Sequence, residues 1–500
     1  MEGSDPELVC LDFDPIERYS EMNGSEILRN QERKLRDYIR YQLYPFSSFY
    51  RKLFDQHGID PNSIETIKDL ERIPLTRKED IMPDEDDPKR YTGFILRPDL
   101  ERIKKHWPRS RLMGLKLKDI WKGNVEEMLR AEYYPTFMIA TSGTTGNNIP
   151  FMYTRRDIEQ FSNMYQALQT VTEIDPDWVI MNLFPFAPHL AFNVVFFVNL
   201  NSNLRMFHTG GGSVTSTKKT LEVMGMVDAN VLIGVPSYLY HLLKKAQEQK
   251  ADLSPVKLVV CAGEKLTFST RKRMNEMLEE CGARGFKIFD VYGTTEMRDA
   301  LPECMPGSGV YHVHPNMHIC EMVDERTGMQ KKPGERGALA VTYIDGRGTV
   351  VCRFLVGDIF EGGIQFGRCP HCGAEGPRLV GPIGRIDDYS EKVNLAKVKG
   401  TLLNLNVFYD IMPTIDGVEE WQVVLQKRND DPSDLDVLKV NVAPRKGAKK
   451  KDLVERVTKR IVDAVEIKPV VDTGFTMDSL FERMGGSMKA KRIVDARPSV

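Results

Sequence analysis

Near the start of the chain, apolar positions recur at the spacing of a helix. In "ERKLRDYIRYQLYPFSSFYRKLFDQHGI" the residues Leu35, Ile39, Leu43, Phe49 and Leu53 fall on recurring faces, and "IETIKDLERIPLTRKEDI" continues the pattern. This predicts an α-helical leader over residues 1–82. From about Pro83 to Tyr133 the chain turns charged, with Pro and Trp interspersed, and reads as a surface insertion rather than a core element. Beyond it, short apolar runs, "WVIMNLF", "VVFFVNL", "ANVLIGV", "VKLVVCAG" and "FKIFDVYG", alternate with helical stretches such as "PSYLYHLLKKAQEQ" and "STRKRMNEMLEE". Strand-like runs alternating with helices predict an α/β fold with a mainly parallel sheet flanked by helices. After Gly334 come short β-rich pieces, "GALAVTYI", "VVCRFLVGD" and "GGIQFG", which predict a β-subdomain. A compositional boundary at "GRIDDYSEK" separates residues 1–386 from 387–500. The latter carry a β-β-α-β pattern ("VEEWQVVLQK", "LDVLKVNVAP", "KKDLVERVTKRIVDAV", "IKPVVDTGF") and predict a smaller α+β domain.

Composition narrows the functional classes. With 500 residues, 41% of them hydrophobic and 28% charged, the chain has room for a large core. A formal charge of -2 argues against a nucleic-acid partner, whose footprint is a strongly basic domain. The acidic opening "MEGSDPELVC" is not a secretion signal. The most apolar later stretch, "LAFNVVFFVNL", is short and interrupted by asparagines, so no membrane span is expected and the protein reads as cytoplasmic. Eight cysteines are too dilute for a disulfide scaffold. Cys369 and Cys372, in "GRCPHCGAEGPRL", stand apart from the rest as a C-x-x-C pair.

Two stretches carry chemistry. "TSGTTGNNIP", Thr141 to Pro150, combines two glycines with four hydroxyl side chains directly after an apolar run. Exposed backbone N–H groups and hydroxyl donors suit phosphate oxygens. It is not a Walker A loop, because no lysine follows Gly146. "IFDVYGTTEMRDA", Ile288 to Ala300, ends a strand-like run in an aromatic, a glycine, two threonines and a glutamate. Ligands of open α/β sheets bind at such carboxyl ends, where Tyr292 offers a stacking face and Glu296 an oxygen ligand for a hard cation.

Taken in order with "FLVGD" ending at Asp358, "GRIDD" at Gly384 to Asp388, and "GSMKAKRIVDARP" near the terminus, these stretches are similar to those of the adenylate-forming enzymes. The chain resembles their phenylacetate-CoA ligase and coenzyme F390 synthetase-like branch, and the likeness includes the helical leader. The resemblance implies a large N-terminal domain and a small mobile C-terminal lid. It implies an ATP- and magnesium-dependent activation of a small carboxylic acid to an acyl-adenylate, followed by thioester formation with coenzyme A. Transfer to another acceptor, as AMP onto a cofactor or acyl onto a protein, is the alternative, and a non-catalytic nucleotide-binding scaffold is a third reading. Thr141, Ser142, Gly143, Thr144, Thr145 and Gly146 are implied to cradle the phosphates. Tyr292, Gly293, Thr294 and Thr295 would form the adenine strand, Gly263 and Glu264 are further cofactor-binding candidates, Asp358 would hold the ribose, and Arg385 the ribose or α-phosphate side. Glu296 is implied to carry magnesium, Asp388 to be the hinge, and Lys489 to be the catalytic lysine, with Lys491 as its rival. Asn147 stands where many relatives have lysine, and Met488 where glycine is usual.

The C-x-x-C pair is half of a tetrahedral zinc site, and "LPECMPGSGVYHVHPNMHICEMVD" offers further ligands. The resemblance implies Cys304 and His312 beside Cys369 and Cys372 in a structural site; His314 or Cys320 could substitute. By position, Phe184, His189 and Pro236 are candidate walls of the acyl pocket. A homodimer is suggested by the resemblance alone.

Overall fold

The computed structural model describes residues 19, 21–122, 125–141, 149–186, 190–212, 214–386, 395–398, 401–405, 407–427, 436–485 and 492–497. Its internal contacts divide the chain into two compact units. One comprises Met1–Asp177, Ala187–Leu204 and Phe289–Gly384; the other comprises Trp178–Phe186, Arg205–Ile288 and Arg385–Val500. The architecture is mixed α/β.

The leader of the first unit is helical, and the predicted face slips by one residue partway along it. The helix Gly24–Tyr38 starts at Asn23, whose side chain accepts from Ser25 and Glu26 N–H while Glu26 reaches back to the Asn23 N–H. It then widens into one π-helical turn over Ile39–Leu43 before Pro45 restarts the chain. A π turn admits an extra residue, so the buried face rotates. Leu35, Ile39 and Leu43 are fully buried as the spacing predicts, but after the turn Tyr50 and Phe54 are buried instead of their neighbours Phe49 and Leu53.

The segment read as a surface insertion is part of the core. It forms helices Leu100–His106, Arg109–Lys122 and Val125–Tyr133, and it buries Ile103, Trp107, Leu115, Met128, Leu129 and Tyr133. The Trp107 indole donates to the Tyr41 carbonyl at 2.9 Å, and Phe46 meets both Trp107 and Tyr133. Charged residues at the helix surfaces hid a narrow apolar stripe.

After this segment an antiparallel hairpin, Pro135–Ala140 with Pro150–Thr154, flanks the expected phosphate loop. Strands His318–Val323, Gly337–Tyr343 and Phe354–Phe360 pair antiparallel, as do Ile364–Gln365, Arg378–Val380 and Val310–His312. "VVFFVNL", read as a strand-like run, lies instead in the helix Leu190–Leu200. A continuous apolar run has no period of its own, so it does not tell a helix from a strand.

In the second unit, parallel strands run in the order Arg205–His208, Val179–Asn182, Val231–Gly234, Leu258–Ala262. Helices Pro236–Gln249 and Phe268–Glu280 follow the last two strands. Its C-terminal part has the strand order Val470–Asp472, Asp436–Pro444, Val418–Lys427, Ile493–Asp495. The middle pair is antiparallel and each edge strand is parallel to its neighbour. Helix Lys450–Val465 lays Leu453, Val457 and Ile461, spaced by four, onto Trp421, Val423, Leu425, Val440 and Val442. Each such side chain contributes roughly 1.5–3 kcal/mol on burial, enough in sum to give this sheet a core of its own. The other face is polar near its end, where Glu420 receives Arg492 through two bonds of 3.1 and 2.9 Å and Glu419 receives the Tyr240 hydroxyl.

Candidate functional site

The chain leaves strand Lys287–Tyr292 at Gly293, in the first unit from Phe289 on, makes one tight turn carrying Glu296, and returns as Leu301–Pro302 paired antiparallel to the same strand. A Cβ on Gly293 would lie 2.3 Å from the Asp299 carbonyl oxygen, so only glycine permits this return. Within the turn the Thr294 hydroxyl accepts the Met297 N–H at 3.0 Å, and the Arg298 N–H reaches the carbonyls of Thr294 and Thr295 at 3.1 and 3.3 Å. Arg298 closes it with a left-handed φ of +52°, a conformation that costs a non-glycine residue about 1–3 kcal/mol. The Tyr343 hydroxyl donates to the Glu296 carbonyl. Next in sequence, the buried Asp299 carboxylate accepts from His314 Nδ1 at 2.8 Å and lies 3.3 Å from His318 Nδ1. Burial alone would raise the Asp299 pKa, but the facing histidines hold it well below the usual carboxylate range.

Tyr292 and Asp358, far apart in sequence, meet: the Tyr292 hydroxyl donates to Asp358 Oδ2 at 2.8 Å, and both are nearly buried. The Tyr292 ring also stands edge-on to Phe360, and its centroid is 6.0 Å from that of Tyr311. Tyr311 in turn donates to Asp290 at 2.7 Å. Thr141 is buried at the neck of the phosphate loop, where its N–H reaches the Ile149 carbonyl at 3.0 Å and its hydroxyl accepts the Ile149 N–H at 3.1 Å. Arg385 ends the strand Ile383–Arg385 and is exposed. Ser142, Gly143, Thr144, Thr145, Gly146 and Asn147 lie outside the described residues, as do Asp388, His189, Met488, Lys489 and Lys491.

The second unit presents its own carboxyl edge. Gly263 and Glu264 follow strand Leu258–Ala262, and the Glu264 carboxylate accepts the Ser237 N–H at 3.1 Å in the first turn of helix Pro236–Gln249. An acid there complements the positive end of the helix. Pro236 is buried as the first residue of that helix, and Phe184 is buried with its N–H held by Asn182 Oδ1 at 3.2 Å. Asn182 and His208, which sequence reasoning did not single out, end adjacent strands with Nδ2 and Nδ1 3.0 Å apart. Burial lowers the His208 pKa, so its ring is neutral near pH 7 and Asn182 can donate to it. Gly211 sits beside this pair, where a Cβ would lie 2.5 Å from Pro185 Cα.

Cys304, His312, Cys369 and Cys372 come together, with their ligand atoms all within 4.8 Å of one another. Cys304 Sγ is 3.8 Å from Cys369 Sγ, and Cys372 Sγ is 3.3 Å from His312 Nε2. A tetrahedral zinc with bonds of about 2.3 Å to sulfur and about 2.0–2.1 Å to nitrogen requires S···S edges of about 3.8 Å and S···N edges of about 3.6 Å. The four donors therefore fit that ion. Burial, helped by nearby cations, pushes the His312 pKa down to about 4 and leaves the neutral ring a ligand needs. Burial and the neighbouring thiols raise the Cys304 pKa. Burial would raise the Cys369 pKa too, but N–H donors from Cys372 and His371 bring it below the ordinary thiol value. His314, an alternative ligand on sequence grounds, is engaged with Asp299, and Cys320 is buried beside Asp299 and Glu321.

Sequence reasoning also missed a buried set of charges behind the phosphate-loop hairpin. Arg156 pairs with Asp345 at 2.8 Å, Arg347 with Glu132 at 2.7 Å, and Arg298 with Asp157 at 2.8 Å, every side chain under 10% exposed. The "T-R-R-D" at Thr154 to Asp157 does hold a usable signal: Asp157 caps the following helix by accepting the Thr154 N–H and hydroxyl.

This chain is 24% identical over 366 residues to the phenylacetate-coenzyme A ligase of Thermus thermophilus, covering 72% of this chain and 70% of that one. It is 21% identical to the phenylacetate-coenzyme A ligase of Escherichia coli, covering 69% of each. A crystal structure of 2-hydroxyisobutyryl-CoA ligase in the postadenylation state, in complex with R3-HIB-AMP, shares the fold: the TM-score is 0.70 at 17% identity, over 96% of this chain and 92% of that one. The sequence model of the AMP-binding enzyme family matches residues 77–346, more than half of the chain and the whole stretch from the helical leader through the Glu296 turn, and the chain belongs to that family.

Proposed function

We propose that the protein is an acid–thiol ligase that activates a carboxylic acid with ATP and passes the acyl group to coenzyme A. In the first half-reaction a carboxylate oxygen attacks the α-phosphorus, the bond to the β-phosphate oxygen breaks, and pyrophosphate leaves. In the second, the thiol of coenzyme A loses its proton to solvent and attacks the acyl carbonyl, and AMP leaves with the bonding pair. A carboxylate is already ionised at neutral pH, so no general base is needed for the first step. What the protein must supply is position and compensation of charge.

The single observation that carries this reading is the rigid Thr294–Asp299 turn, which joins Glu296 to the Tyr292–Asp358 pair in a chain of the AMP-binding family. Tyr292 and Asp358 would hold the adenosine, Thr141 and the five residues after it the phosphates, and Arg385 the ribose or α-phosphate side. Glu296 would hold magnesium, which neutralises charge on the phosphate oxygens when bound. Lys489 would enter for adenylation and withdraw for the thiol step by motion about Asp388. Cys304, His312, Cys369 and Cys372 would hold a structural zinc, four protein donors leaving no open position for catalysis. The scattered cysteines support a cytoplasmic setting, and among the described residues no helix is long and apolar enough to cross a membrane. The phenylacetate-CoA ligase relatives support a small aryl or acyl acid as substrate.

Exchange of labelled pyrophosphate into ATP, screened over small aryl and aliphatic acids, tests the first half-reaction, and thioester detection after adding coenzyme A tests the second. Exchange with at least one acid followed by an acyl-CoA product is expected. Exchange without thioester would move the acceptor to another group, and no exchange with any acid would sink the ligase reading.

A further inference from the structure

We propose that Arg298 is a positioning residue for adenylation, tying the Glu296 turn to the strand that leaves the phosphate loop. The inference rests on Glu296 being the magnesium ligand.

Arg298 is two residues beyond Glu296 and is 4% exposed. Its guanidinium lies over two rings, 4.8 Å from the centroid of Tyr153 and 5.0 Å from that of Tyr343. Its Nη1 lies 2.8 Å from Asp157 Oδ1, and its Nη2 donates to the Met152 carbonyl at 3.3 Å. Met152 and Tyr153 belong to strand Pro150–Thr154, which the chain enters directly from the phosphate loop. Tyr343, the other ring, is the residue whose hydroxyl holds the Glu296 carbonyl. One planar cation thus spans the strand behind the phosphates and the tyrosine that fixes the metal-ligand turn.

Two features mark this as more than packing. Asp157 has hydrogen-bond partners without Arg298, since it accepts from Thr154 N–H and hydroxyl at 2.8 and 3.0 Å and from the N–H groups of Arg347 and Gly348 at 2.9 and 2.8 Å. Its hydrogen bonding therefore does not require the guanidinium. In addition, Arg298 holds a left-handed φ that its own Cβ disfavours. Strain of this kind persists only where the surroundings over-determine it, and it clusters where geometry matters to function. A buried cation that meets one carbonyl, one carboxylate and two ring faces can keep two backbone segments in register, whereas an apolar residue of equal volume would only fill the space.

The test compares Arg298→Gln, Arg298→Lys and Tyr343→Phe with the wild-type protein and with Glu296→Gln. Pyrophosphate exchange is followed against magnesium, ATP and acid in turn, and thioester formation from supplied acyl-adenylate is measured separately. Misplacement by about 1 Å costs on the order of 10²-fold. Arg298→Gln should therefore lose about that much adenylation rate and need more magnesium for half-maximal rate, with an unchanged KM for the acid and a spared thioester step. Arg298→Lys should regain part of the rate, and Tyr343→Phe should shift the magnesium dependence the same way by less. Equal loss in both half-reactions, or an unshifted magnesium dependence, overturns the proposal. If Arg298→Gln does not fold, Tyr343→Phe decides alone, because it removes a single hydroxyl. Near-normal exchange by Glu296→Gln would remove the underlying reading of Glu296, whereas an inactive Glu296→Gln beside unaffected Arg298 and Tyr343 variants would remove this proposal only.

Discussion

Replacing Cys369 by serine should strip the four-donor site of one ligand and weaken ATP binding at a distance. Cys369 is 2% exposed in a small cluster with Cys304 and Val310, and its backbone closes the knuckle by bonding Ala374 and Gly373 at 2.8 and 3.0 Å. Structural zinc contributes about 10–16 kcal/mol in small zinc-dependent folds, or roughly 3 kcal/mol for each of four ligands. In a unit of this size that loss lowers the melting temperature by roughly 5–10 °C. The distant effect follows from the strand Val310–His312, which pairs with Arg378–Val380 and places His312 next to Tyr311. Tyr311 donates to Asp290 and lies beside the Tyr292 ring, so a loosened His312 reaches the Tyr292–Asp358 pair through one side chain. Metal analysis of freshly purified protein should find about one zinc per chain, and cobalt substituted for it should give the absorption of a tetrahedral thiolate site. The Cys369→Ser protein should bind less metal, melt earlier, and show a raised KM for ATP with an unchanged KM for the acid. Fresh wild-type protein without zinc, or a variant with an unaltered melting temperature, would refute the reasoning.

Three further outcomes are expected. Tyr292→Phe deletes a hydrogen bond to a buried carboxylate, worth about 1.5–3 kcal/mol, and should raise the KM for ATP roughly ten-fold or more; steady-state kinetics showing no change would remove Asp358 from the nucleotide site. Lys489→Ala should abolish pyrophosphate exchange while sparing thioester formation from supplied acyl-adenylate, and if Lys491→Ala gives that selective loss instead, the catalytic lysine is Lys491. Burial alone would raise the Asp345 pKa, but Arg156, Lys34 and Arg347 hold it below the ordinary 3.8. A depressed folded-state pKa adds stability that is present above that value and lost as pH falls through the folded one; urea unfolding should therefore show Asp345→Asn less stable at pH 7 and with a shallower decline below about pH 4, and parallel curves for the two proteins would count against the pairing.

The parts legible in the sequence share one property: they depend on local rules. The parallel strands were marked by apolar runs ending in glycine or polar residues, as in "ANVLIGV" and "VKLVVCAG". The Glu296 turn was marked by Gly293, whose necessity is a clash with a backbone atom six residues away. Half of the four-donor cluster, Cys369 and Cys372, was reachable because C-x-x-C is a short-range spacing, whereas Cys304 and His312 were implied by the family resemblance.

What stayed hidden depends on pairing across long stretches of chain. Glu132 and Arg347 are 215 positions apart, and Arg298 and Asp157 are joined only by the fold. A lone charged residue in a sequence is most often solvated, so the burial of six such groups in paired form leaves no local trace. The same cause misplaced the segment from Pro83 to Tyr133, whose surface charge concealed that Glu132 is fully buried against Arg347. The charged core behind the phosphate-loop hairpin and the apolar stripe of that segment are therefore one construction: the helix Val125–Tyr133 brings in Glu132, Arg347 follows Asp345, and Asp345 receives Arg156 from the strand-to-helix corner beside Asp157. Removing Arg347 costs the buried Glu132 carboxylate its cation, at about 3–5 kcal/mol. Substitutions in a segment with no motif of its own should accordingly disturb the hairpin of the phosphate loop as much as substitutions beside it.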